Sequence, residues 1–180
     1  MRLTKTVVLV GMMGAGKTAV GTALARILGV QFLDSDDEIT RASNRSIAEF
    51  FEREGEAFFR EKEAQVIGRL LRGPPAVLST GGGAFMSEVN RRQIAEAGVS
   101  VWLRADLPLL WARVRHKSSR PLLRTEDPQG TLAALLAVRS PVYAQADITV
   151  DAEAGLSIEN MARKVIVALA ARDDVLKEGP

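Results

Sequence analysis

Residues 11–18 read Gly-Met-Met-Gly-Ala-Gly-Lys-Thr, a full match to G-x-x-x-x-G-K-[ST]. The flanks agree with the string. Thr6-Val7-Val8-Leu9-Val10 is a short apolar run that reads as a buried strand, and Ala19 to Leu28 carries Val20, Leu24, Ile27 and Leu28 on one helical face. Strand, glycine loop and helix in that order form a cradle for phosphate. Glycines let successive N–H groups curl toward phosphate oxygens, and the helix that follows adds its positive end. Gly14, Ala15, Gly16, Lys17, Thr18 and Ala19 are therefore candidate nucleotide-phosphate contacts. Lys17 supplies a mobile cation for the β- and γ-phosphates, and Thr18 places a hydroxyl where Mg²⁺ is expected.

The rest of the chain alternates strand and helix patterns. Strands are expected at Lys5–Val10, Gln31–Leu33, Ala76–Leu78, Val99–Leu103 and Ile148–Val150. Their continuous apolar content fits a parallel sheet covered on both faces, an α/β architecture with right-handed crossovers. Helices are expected at Lys17–Leu28, Ser46–Leu71 with a break at Gly55, Ser87–Ala97, Leu107–Arg115, Thr131–Ala144 and Ile158–Ala171. Ser46 and Glu49 have capping-box spacing. The 180 residues fit one domain over about 1–171, and 172–180 read as a fraying tail.

Composition excludes several classes. Apolar residues make up 47%, too many for a disordered chain. Without cysteine there is no disulfide scaffold, cysteine-ligated zinc or thiolate nucleophile. A net charge of +2 argues against a general nucleic-acid binder. No secretory leader pattern and no run long enough to span a bilayer appear, so the expectation is a cytoplasmic protein without membrane or nucleic-acid partners, of a length sufficient for a monomer.

Two further features fall on the carboxyl edge of the sheet, where ligands of such folds bind. Phe32-Leu33-Asp34-Ser35-Asp36 follows the second strand. Read as extended chain, Asp34 and Asp36 face the same way; the competing reading of this acidic run is an N-cap for a helix after the second strand. Asp34 is assigned to the Mg²⁺ shell through water and Asp36 to an acceptor hydroxyl, as orienter or base. Ser79-Thr80-Gly81-Gly82-Gly83 follows the third strand and permits close approach of backbone to ligand. Arginines complete the set. Arg60 has Glu63 three residues on, where the carboxylate can hold the guanidinium, and Arg139 and Arg120 lie in Arg-Ser-Pro-Val-Tyr and Arg-Pro-Leu-Leu segments. A phosphoryl transferase needs arginine on the transferring group and on an anionic acceptor. The aromatic pairs Phe50-Phe51 and Phe58-Phe59, with Trp102 and Trp111, read as packing residues, and His116 as exposed.

The ordered set Gly-Met-Met-Gly-Ala-Gly-Lys-Thr, Phe-Leu-Asp-Ser-Asp, Ser-Ile-Ala-Glu-Phe-Phe, Gly-Glu-Ala-Phe-Phe-Arg, Thr-Gly-Gly-Gly, Arg-Pro-Leu-Leu and Arg-Ser-Pro-Val-Tyr resembles shikimate kinase, from residue 5 to about 170. The resemblance implies a P-loop NTPase fold of the nucleoside-monophosphate-kinase-like kind. Its three layers would enclose a central five-stranded parallel sheet, with a substrate-binding helical segment at about 34–62 and a lid at about 113–126. It implies ATP and Mg²⁺, and transfer of the γ-phosphoryl group to the 3-hydroxyl of shikimate. Asp36, Arg60, Gly82 and Arg139 match shikimate-binding positions, Thr18 and Asp34 the metal positions, Arg120 the lid arginine over ATP, and Arg113 an arginine near the adenine. Lys17, Asp36 and Arg120 would be the catalytic residues. A gluconate-kinase-like enzyme and a non-catalytic nucleotide-sensing domain are the alternatives.

Overall fold

The computed structural model describes residues 1–117 and 123–177. Its centre is a five-stranded parallel sheet of β2 (Thr6–Val10), β3 (Phe32–Asp34), β4 (Val77–Ser79), β5 (Gly98–Arg104) and β6 (Ile148–Asp151), in the order β3-β4-β2-β5-β6. The glycine loop leaves the middle strand. All five residues of β2 are buried, which explains why that strand is apolar throughout rather than alternating. Register follows in step: Val8 pairs with Leu78 on one side and Ser100 on the other.

Helices cover both faces. α1 (Lys17–Leu28) lays Val20, Leu24 and Leu28 on the sheet. Contact is close at Gly21, where a Cβ would come within 2.7 Å of the Phe32 ring. α5 (Glu88–Ala97), α6 (Leu107–Val114), α7 (Pro128–Tyr143) and α8 (Ile158–Ala170) complete the layers. One apolar core runs through these elements, from Leu3 to Leu176.

A second, small core lies apart. Asp34 caps α2 (Ser35–Ser43), which leads into α3 (Ile47–Glu54) and α4 (Glu56–Leu71). These three helices bring Ile39, Phe50 and Phe59 together as a small core, with Ile47, Phe51 and Val66 packed around it, while Ile67 and Leu71 tie the far end of α4 to the large core. The expected capping box is formed: the Glu49 N–H donates to Ser46 Oγ at 3.1 Å and the Ser46 N–H to Glu49 Oε2 at 3.2 Å. Gly55 separates α3 from α4 at φ 84°, a backbone angle that favours glycine.

Three sequence expectations need correction. α2 is a helix where the Asp34–Asp36 segment was expected to be extended; its local cause is the Asp34 carboxylate, which accepts from the N–H groups of Asp36 and Asp37. Phe58 is 39% exposed, stacked on Phe50 with Lys62 over its ring, rather than in the core. The expected fraying from 172 does not hold over 172–177. There β7 (Leu176–Lys177) pairs antiparallel with β1 (Arg2–Leu3), Val175 is fully buried, and Lys5 and Arg172 both bind Asp174. The side chains of Val175 and Leu176 extend the large core, which outweighs the weak strand pattern of so short a segment. Arg120 and most of the Arg-Pro-Leu-Leu segment lie outside the described residues; the described part of the expected lid begins on α6 and resumes at the buried Leu123.

Candidate active site

A cleft of about 770 Å³ opens at the carboxyl edge of the sheet, lined on one side by the loop 13–20 and on the other by Asp34, Asp36 and Ser79–Gly82. The loop takes left-handed backbone angles at Gly14 (φ 84°) and Gly16 (φ 96°). Lys17 Nζ donates to the carbonyls of Gly11 at 2.7 Å and Met12 at 3.0 Å, so it braces the loop it belongs to. Thr18 and Ala19 stand exposed at the start of α1 with their N–H groups at the positive end of the helix. Arg113 reaches the same loop from α6 and donates to the Gly14 carbonyl at 3.0 Å. Ala152, Leu156, Ile158 and Met161 add an apolar stretch to the far end, suited to a flat base.

The opposite wall explains the glycine triplet. Every glycine in it makes room for one charged side chain. A Cβ at Gly81 would meet the Asp36 carboxylate at 3.1 Å, one at Gly82 would meet Arg139 Nη1 at 3.0 Å, and one at Gly83 would collide with the Arg60 guanidinium. The triplet is where Asp36 of α2, Arg60 of α4 and Arg139 of α7 converge, although 103 positions separate the first of these from the last. Sequence reading anticipated backbone close to a ligand. The contact found is backbone close to three charged side chains.

Each charged group is held differently. Arg60 Nη1 donates to Glu63 Oε1 at 2.9 Å, and its guanidinium lies over the rings of Phe59 and Phe51. Glu63 is 1% exposed and its second oxygen has no hydrogen-bond partner. Burial pushes its carboxyl up, while Arg60 draws it down. Arg139 makes no ion pair among the described residues, and its buried Nη1 has no hydrogen-bond partner. A buried guanidinium nitrogen without a partner is costly unless an anion completes it. Burial, and then the neighbouring Asp34 charge, push the Asp36 carboxyl up to about 6, against the opposing pull of Lys17 and Arg60. Burial likewise pushes Asp34 up, partly offset by the N–H groups it caps. Two desolvated carboxylates side by side call for a cation beyond Lys17.

The donors offered to such a cation are the Thr18 hydroxyl and Asp34 Oδ2, which the helix cap does not use. Oxygen donors with room for phosphate and water fit Mg²⁺, which is held by one or two protein groups rather than by a full protein cage. Among the described residues, no group of three or more His, Cys, Asp or Glu side chains is arranged to hold a metal ion.

Of the residues anticipated from sequence, the loop 14–19, Asp34, Asp36, Gly82 and Arg113 line the cleft, and Arg60 and Arg139 flank it against the triplet. Tyr143 escaped notice. It is fully buried and its hydroxyl donates to the Gly82 carbonyl at 2.5 Å. Its place in Arg-Ser-Pro-Val-Tyr, four residues after Arg139 and so on the same helical face, is the only signal the sequence carried.

Comparison with known proteins agrees with this geometry. The family model for shikimate kinase matches residues 13–170. A shikimate kinase of Cereibacter sphaeroides is 69% identical over 176 residues, covering 98% of this chain and 88% of its own. One from Ruegeria pomeroyi is 65% identical over 175 residues, covering 97% and 90%. Among solved structures, shikimate kinase from Acinetobacter baumannii in complex with shikimate superposes with a TM-score of 0.88 at 39% identity, over 93% of this chain and 94% of that one. With the phosphate loop, the paired aspartates and the arginines gathered on the glycine triplet, these matches establish that the chain belongs to the shikimate kinase family.

Proposed function

We propose that the protein transfers the γ-phosphoryl group of ATP to the 3-hydroxyl of shikimate, giving 3-phosphoshikimate and ADP on the route to chorismate and the aromatic amino acids. The observation that carries this reading is the buried, unpartnered Arg139 Nη1 beside Gly82. With Arg60 across the triplet it forms a receptor for a carboxylate next to a nucleotide cleft. A nucleotide-sensing domain has no use for that receptor.

In this reading, residues 14–19 wrap the phosphates, Lys17 follows the β- and γ-phosphates, and Arg113 steadies the loop at Gly14. Thr18 and Asp34 would hold Mg²⁺, which would offset the phosphate charge. Arg60, Arg139 and the N–H of Gly82 bind the shikimate carboxylate and ring hydroxyls. Asp36 aligns the 3-hydroxyl and takes its proton as oxygen attacks the γ-phosphorus and the bond to ADP breaks. Arg120, outside the described residues, is assigned the lid role by its place in the family motif. Most of the acceleration comes from positioning and fixed charge. We further propose that the protein works in the cytoplasm as a monomer; no helix among the described residues is long and apolar enough to cross a membrane.

A coupled assay of ADP release decides the substrate. Shikimate should raise ADP production well above the buffer rate in the presence of Mg²⁺ and ATP. No stimulation by shikimate, with stimulation by another sugar acid such as gluconate, would overturn the assignment.

A further inference from the structure

The glycine triplet has no side chains of its own, so something else must fix its direction. Its carbonyls are all engaged. The Gly81 carbonyl accepts from the Ala84 N–H at 3.0 Å and the Gly83 carbonyl from the Met86 N–H at 3.2 Å, closing a 3-10 turn at Ala84–Met86. Beyond the triplet, Asn90 Nδ2 takes the Ala84 carbonyl at 2.8 Å, and Arg91 Nη1 takes those of Phe85 and Met86 at 2.7 and 2.9 Å. Between them stands the Gly82 carbonyl, whose partner is the hydroxyl of Tyr143. By contrast, no hydrogen bond among the described residues uses the N–H groups of Gly81, Gly82 or Gly83. Carbonyls pinned from behind leave the N–H groups for a ligand in front.

We propose that Tyr143 is a positioning residue for the acceptor's carboxylate: its buried hydroxyl holds the Gly82 carbonyl and sets the triplet against Arg139. A peptide unit is planar and trans, so fixing the Gly82 oxygen fixes the Gly82–Gly83 peptide plane, with the Gly83 N–H pointing opposite to that oxygen, and so holds in place the residue whose own N–H is assigned to the ligand. Arg139 comes from the preceding turn of α7, and the Gly82 position lies 3.7 Å from the Tyr143 oxygen and 3.0 Å from Arg139 Nη1 when measured from a Cβ built there. One phenol thus borders both Gly82 and Arg139. Burial raises the phenol's pKa, with Arg139 opposing. The ring itself is immobilised by stacking on Trp102, with centroids 5.9 Å apart at 29°. Trp102 in turn touches the start of the phosphate loop, its Cδ1 3.4 Å from where a Gly11 Cβ would lie.

The proposal rests on the acceptor reading above, and the test separates the two. Tyr143→Phe deletes the hydroxyl and keeps the stacked ring. KM for shikimate should rise about tenfold, equivalent to about 1.4 kcal/mol, with KM for ATP and kcat changing far less. An unchanged KM for shikimate in the variant, beside an active parent, overturns the role of Tyr143 alone. A parent that shikimate does not stimulate overturns the acceptor reading itself. If both KM values and kcat deteriorate together with a lowered melting temperature, the tyrosine is core packing and the proposal fails. Should the variant not fold, the unaltered chain still decides. It contains one tyrosine, so biosynthetic 3-fluorotyrosine labels position 143 alone. Its fluorine resonance should move on saturation with shikimate; a resonance that stays fixed while shikimate is turned over overturns the proposal.

Discussion

The phosphate loop takes its shape from eight consecutive residues, 11–18, whereas the facing wall is gathered from the end of β4 and from α2, α4 and α7. The first grows directly out of the central strand and rests on the large core. The second depends on a helical segment whose own core is Ile39, Phe50 and Phe59. The α2–α3 part of that wall rests on those few buried side chains and can shift with little loss of packing, whereas β4, α7 and the far end of α4 are anchored in the large core. The glycine loop and the Arg139 side of the facing wall are therefore fixed seats, and the Asp36 side on α2 is the adjustable one.

The sharpest way to test that division is Asp36→Asn. Turnover should fall by about 10²–10⁴-fold while nucleotide affinity, measured by titration with ADP, is unchanged. A matching loss of nucleotide affinity would mean the two walls are not separable. Phe59→Ala should come next. Removing a fully packed ring costs about 3 kcal/mol or more, and the loss should concentrate in the helical segment. Limited proteolysis should then cut within residues 35–62 while nucleotide still protects the glycine loop. Uniform cleavage would show that the small core is not independent.

The smallest effect concerns the far edge of the large core, where Asp174 binds Lys5 at 2.7 Å and Arg172 at 2.8 Å. These cations hold its carboxyl well below the usual carboxylate range. A depressed pKa contributes stability that is present above the ordinary value of 3.8 and lost as pH falls toward the folded value. Melting temperature should thus decline more steeply on acidification below that point in the parent than in Asp174→Asn. Superimposable curves would remove the cluster from the stability of the nucleotide-side core. The residues are exposed, so the difference is expected to be small.

What could be read in advance follows the same division. The loop 11–18 is contiguous, and its strand and helix announce themselves by apolar run and period, so its architecture was legible. So was the Arg60–Glu63 pair, because three residues on a helix make neighbours. α2 is legible only as the competing N-cap reading of the acidic run and not from periodicity, because only Ser35 and Ile39 of its nine residues are buried, which leaves almost no apolar period. The acidic pair was read as extended when the first aspartate was in fact starting a helix. β1 and β7, two residues each, are too short to show alternation. The meeting of Asp36, Arg60 and Arg139 at successive glycines is a product of tertiary packing alone, and no spacing along the chain encodes it.

Gly14 carries a different lesson. A Cβ there would lie 2.7 Å from Val114 Cγ1 and 3.3 Å from the Leu110 carbonyl, and the backbone angle of φ 84° is already one that other residues avoid. Helix α6 leans on this point of the loop. The glycine is thus demanded by a neighbour as well as by phosphate. A descendant of this chain that had abandoned nucleotides would still be held to glycine at 14 for as long as Val114 stood behind it. At this position the motif can outlive the chemistry that it advertises, and a surviving glycine would testify to ancestry before it testified to activity.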